Sequence, residues 1–138
     1  MIERAGRTQS CDRAQARARF DNAQKSLEVA ELAAGEHEIP ASRSVAAALA
    51  VLSGIASADA ACCAALGRRS RGDDHREAAA LLRQIVPAGD RAAKALTDLL
   101  NLKDTAHCGL IPITRRQLTT TLRRARTLLD IAADVLRR

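Results

Sequence analysis

The sequence predicts an all-α protein, a four- or five-helix bundle. Two observations carry that prediction. Alanine supplies 30 of the 138 residues, whereas Phe20 is the sole aromatic. Alanine favours helix and lets helices approach closely, while sandwiches and barrels draw on aromatic and β-branched side chains. In addition, apolar residues recur at spacings of three and four along several stretches. The length suits one domain with a real core. Residues 1–10 read as a frayed basic arm and residues 11–138 as the bundle.

The first helix is expected from about Cys11 to Ala34, with Ala16, Phe20, Ala23, Leu27, Ala30 and Ala34 on its apolar face and Gly35 ending it. A connector, GEHEIPASR, follows, in which Pro40 restricts Ile39. The second helix is expected to start at Ser42 or Ser44, either of which can cap it, and to reach Leu66. Val45, Leu49, Leu52, Ala56, Cys63 and Leu66 trace one stripe, and Val45, Ala48, Leu52, Ile55 and Cys62 an overlapping one. A helix apolar on most sides belongs at the centre. Asp59 lies within that surface, so it is expected to be hydrogen-bonded, with His75 or an Arg of the last helix as partner.

GRRSRGDD reads as a loop, and Asp74 with Glu77 as a capping box. A short third helix is expected from His75 to Val86, with Leu81, Leu82 and Ile85 inward. After PAG, Asp90 can cap a fourth helix carrying Ala93, Leu96, Leu99 and Leu100, which fades between Lys103 and Cys108. After GLIPI, Thr114 and Gln117 form a second capping box, with Ile113 and Leu118 at the staple positions. The last helix then runs to about Leu136, with Leu118, Leu122, Ala125, Leu129, Ala132 and Leu136 inward.

Charge is uneven around a net of +6. Residues 1–20 hold five Arg against two acids, and residues 115–138 seven Arg against Asp130 and Asp134, whereas residues 21–40 hold Lys25 against five acids. A basic field of this kind attracts phosphate or an acidic partner, and it makes Arg115, Arg116 and Arg123 binding candidates. The lack of aromatics removes the usual stacking platform for single strands. No run of 18 apolar residues predicts a membrane span, and the N-terminus lacks the apolar core of a signal peptide. Cys11, Cys62, Cys63 and Cys108 form no CxxC, so the expectation is reduced, partly buried thiols in a cytoplasmic protein. No metal site or cofactor is expected, because His37, His75 and His107 are far apart and no glycine-rich phosphate loop occurs.

Two basic–histidine pairs carry candidate chemistry. Arg71 precedes His75 by four residues, and Lys103 precedes His107 by four. If the fourth helix continues, Lys103 and His107 share a face. A histidine can move a proton at a ribose oxygen while a cation holds a phosphate oxygen. Asp104, one position on, would point elsewhere and orient a partner's side chain. One such cluster is a thin site, and two copies across a two-fold axis would make a better one.

The run SVAAALAVLSGIASADAACCAALGRRSRGDDHREAAALLRQI resembles the central part of a HEPN domain (higher eukaryotes and prokaryotes nucleotide-binding). There a long helix of small residues leads through a loop to a His, here His75. ALTDLLNLKDTAHCGL resembles that family's late helix with its Arg-polar-His signature, and the likeness spans roughly residues 41–136. It implies a helical, usually dimeric protein. Many such proteins are metal-independent ribonucleases, often toxins paired with a small nucleotidyltransferase antitoxin, and others are inactive binding proteins. At the matching place this chain has Lys103 rather than Arg, with three residues between it and His107, and it lacks the family's tyrosines. Lys supplies a point charge but not the two-pronged phosphate grip of Arg. The expectation is therefore a diverged, non-catalytic homodimer that binds a protein, a nucleotide or RNA. An active ribonuclease, possibly a toxin, is one alternative. A helical partner-binding protein outside the family is the other.

Overall fold

The computed structural model describes residues 7–71, 75–108 and 112–138, and the side chains of residues 104–108 lie outside that description. Five helices and one small ribbon make up the described fold: β1 (Thr8–Ser10), α1 (Arg13–Ala34), α2 (Pro40–Leu66), β2 (Arg68–Ser70), α3 (Arg76–Leu82), α4 (Gly89–Cys108) and α5 (Arg115–Leu136). The all-α expectation holds. α2 is the centre, packed against α1, α4 and α5.

Local chemistry explains the ends of α1 and α5. Asp12 accepts from the Gln15 backbone N–H, and the Gln15 side chain accepts from the Asp12 N–H. Thr114 and Gln117 repeat that box at α5. Each such cap stabilises by about 1 kcal/mol. Ile113 and Leu118 are buried together against Ala46 and Ala47.

Several boundaries differ from expectation. α2 starts at Pro40 with Ile39 at the cap and no capping side chain, because proline is pre-organised for a first helical position. Ser42 instead donates to Glu36 Oε1 at 2.7 Å. Part of the expected N-terminal arm is strand β1, antiparallel to β2 within the expected loop, with Gln9 opposite Arg69. The Asp74 cap falls outside the described residues. His75 occupies the cap position of α3 and makes no side-chain cap bond. α3 stops at Leu82 because the chain turns tightly back: a Cβ on Gly89 would meet the Leu82 carbonyl oxygen. Ile85 is still buried, and the Val86–Pro87 peptide is cis. α4 begins at Gly89, so Asp90 sits in its first turn rather than capping it.

The core runs along α2. Ala50, Val51, Ala58, Ala60 and Ala61 meet Leu27, Leu96, Leu99 and Leu128, all within 1% of full burial. Gly54 lets α4 and α5 close in, since a Cβ there would strike Leu99 and Leu128. The expected α2 stripe is corrected in its N-terminal half, where Val45 and Leu52 are about half exposed. Three neighbours cover the other faces and leave this one open. By length and composition α2 could cross a membrane, but two thirds of its apolar window is buried inside the bundle.

The thiols also depart from expectation. Cys11 and Cys63 form a disulfide, their Cα atoms 5.4 Å apart, while Cys62 is free and buried. The ribbon brings Cys11 to the C-terminal end of α2, which spacing alone does not reveal.

Candidate functional site

Two side-chain groups stand out. The first is a cleft of about 390 Å3 between α4 and α5. The α5 capping box fixes its edge, and Arg43 Nε donates to the Ile113 carbonyl at 2.6 Å, holding the chain just before the cap. Leu99 and Leu102 give the cleft an apolar floor, while Arg116, Thr120, Thr121 and Arg124 line the α5 side. Asp98 faces them, its Oδ2 lying 3.1 Å from Arg124 Nε and 3.7 Å from Lys94 Nζ. Asp98 thus engages both of those cations. Arg116 is exposed, and its guanidinium has no hydrogen bond or ion pair among the described residues. Arg123, two turns further on, is also exposed; its carbonyl accepts from the Thr127 hydroxyl, and its guanidinium is likewise unpaired among them. A seven-residue step returns to the same side of a helix, so the two guanidinium groups form one basic stripe beside the cleft. The α5 N-terminus adds partial positive charge.

The second group surrounds Asp59, which is 7% exposed. Its Oδ2 lies 2.8 Å from Arg19 Nη2 and 3.9 Å from Arg69 Nη1. The carboxylate is paired, as expected, but the partners come from α1 and β2, not from His75 or α5. The two groups are separate in their residues: the cleft is lined from α4, α5 and the Thr114 cap, whereas the cations around Asp59 come from α1 and β2.

The remaining sequence candidates are dispersed. α4 continues through Cys108, which keeps positions 103 and 107 one turn apart. Lys103 is partly buried and does not line the cleft. The side chains of Asp104 and His107 lie outside the described residues. Arg71 is exposed, and its backbone N–H donates to the Arg7 carbonyl at 2.7 Å. His75 is partly buried where α3 opens. Arg115 lies 3.8 Å from Glu38 on an exposed edge. Among the described residues, no three His, Cys, Asp or Glu side chains gather as metal ligands.

Sequence reasoning missed Arg19, Arg69, Asp98 and Arg124. The Lys94–Asp98 pair, four apart on one helix, is a readable signal, whereas the contacts from Arg19, Arg69 and Arg124 depend on tertiary packing. Compared with family models, curated proteins and solved structures, the chain matches none.

Proposed function

We propose that this chain is a non-catalytic, HEPN-like helical protein that binds a nucleotide or RNA phosphate at the α4–α5 cleft, acting as a cytoplasmic homodimer. The observation that carries the reading is Arg116, exposed and unpaired among the described residues at the mouth of an apolar-floored cleft. A guanidinium can grip phosphate through two parallel hydrogen bonds. The partly buried Leu102 offers apolar surface for the flat face of a base, and Thr120 a hydroxyl for sugar or phosphate oxygen. The paired Asp98 leaves the cleft floor near neutral while Arg116 and Arg123 keep the rim positive. The HEPN resemblance adds to this through its motifs alone.

Calorimetric titration of ATP at low salt tests the reading. The Arg116→Ala variant is expected to bind about tenfold more weakly, which corresponds to ~1.4 kcal/mol. Equal binding by the variant and the unaltered protein, or none by either, counts against the cleft. The continuation of α4 through Cys108 favours a second reading, a metal-independent ribonuclease with Lys103 and His107 on one helical face. Under the first reading, structured RNA stays intact with and without EDTA. Cleavage that falls by about 10²–10⁴ in His107→Ala, the usual cost of losing a positioned proton-transfer group, would make the protein an enzyme.

A further inference from the structure

The N-terminal segment is held to the bundle by few bonds. β1 has three residues and pairs with three of β2. A two-stranded ribbon of that size does not persist alone in water. Just beyond it, Cys11 is bonded to Cys63, its N–H donates to the Gly67 carbonyl at 3.0 Å, and Asp12 caps α1. One covalent bond therefore stands where the ribbon meets the helices. Arg69 of β2 also ties the two sides, with Nη2 donating to Gln9 Oε1 at 3.1 Å and Nη1 facing Asp59.

The two sulfurs differ in access. Cys63 is 3% exposed, whereas Cys11 is only partly buried. An external thiol can therefore reach Cys11 first. Cys62 does not compete, since burial, with the Asp59 charge adding to it, pushes its thiol up to about 12 and keeps it protonated near neutral pH.

We infer that the Cys11–Cys63 bond is a redox latch, which fastens residues 7–11 to β2 and the bundle and is opened by a dithiol reductant. A thiolate of the dithiol bonds to Cys11 Sγ, the protein S–S bond breaks, and Cys63 leaves as a thiolate that takes a proton. The second thiolate of the dithiol then displaces Cys11, which leaves and is protonated in turn. The protein gains two electrons and two protons, and the reductant ends as a cyclic disulfide. The helices do not depend on the bond: the Asp12–Gln15 box caps α1, and Ala16, Phe20 and Leu27 hold it in the core. Opening instead frees Arg69 from Gln9 and bares the edge of β2.

Hydrogen exchange read by mass spectrometry, on the oxidised full chain and after dithiothreitol, tests the latch. Residues 7–11 and 68–71 are expected to lose protection by about tenfold or more, with α2 and α5 unchanged, as local opening predicts. Cys11→Ser without reductant should match the reduced protein, and Cys62→Ser should keep the latch. Unchanged protection on reduction overturns the inference. So does loss of protection throughout the helices, which would make the bond a staple for the whole fold. Peptide mapping that finds all four cysteines free after mild oxidation, or Cys11 joined to another partner, overturns it as well.

Discussion

Asp59 shows what one residue reveals in advance. Its burial is readable from the sequence, because it stands in an apolar helix among Ala, Ile and Cys, and a carboxylate there needs a partner. The partner is not readable, since Arg19 is 40 positions away on another helix and Arg69 sits on a strand that sequence patterning does not announce. Asp59→Ala leaves both guanidinium groups without their carboxylate and is expected to cost about 1–3 kcal/mol in chemical denaturation. An unchanged midpoint would mean that the pair contributes nothing. Cys62 offers a second check. Its raised pKa means that the unfolded chain loses this proton first, so its contribution to stability is present below pH 9 and falls as pH rises toward about 12. In native protein at pH 8, iodoacetamide should leave Cys62 unmodified, whereas denatured protein should react fully; rapid native labelling would contradict its burial.

At the scale of elements, the legible boundaries are those written by local chemistry. Gly35, the Thr114–Gln117 box and Gly67 at φ 72° each mark a helix end within a few residues. The start of α2 was obscured because two serines offered caps, whereas Pro40 took the first turn without one. The ribbon was illegible for another reason: Thr-Gln-Ser and Arg-Arg-Ser carry no apolar alternation, and only the pairing itself makes them strands. The α2 stripe went wrong in half its length because a helix apolar all round does not say which face its neighbours leave open. Gly54 marks where they do close in. Gly54→Ala should gain up to about 1 kcal/mol of helix propensity yet lose about 1–3 kcal/mol to overpacking against Leu99 and Leu128. A net fall in the urea midpoint is expected; a rise would show that the two leucines can swing aside.

For the whole molecule, the candidate site was legible only as charge. The excess of arginine in residues 115–138 picked out Arg116 and Arg123, but the cleft beside them exists because α4 and α5 lie side by side, and no local pattern encodes that contact. The exposed apolar residues bear on assembly. Val29, Val45 and Leu52 are each 41–53% exposed, and Val29 and Leu52 flank one groove between α1 and α2. Its rim cations are already matched within the chain, Arg19 by Asp59 and Lys25 by Glu28. Two such surfaces can therefore meet without strong like-charge repulsion, in keeping with the proposed homodimer. Light scattering at micromolar concentration should give twice 14.7 kDa, and Leu52→Glu should return it to that value. A monomer before substitution would count against the dimer.

The position of α5 has a consequence for biosynthesis. It lies against α1, α2 and α4, and Arg126 reaches Glu31 at 3.1 Å. A chain emerging N-terminus first therefore completes α2 long before the helix that covers one flank of it. At about 5–20 residues per second, the 48 residues from Leu66 to Thr114 take several seconds to follow. Early in that interval, before α3 and α4 have been made, α2, which has the length and composition of a bilayer span, has α1 alone among the helices to shield it. Asp59, Ser53 and Ser57 gain a second meaning there. In the finished bundle they are buried polar groups, but in the nascent chain they are what makes a lipid environment costly for this helix.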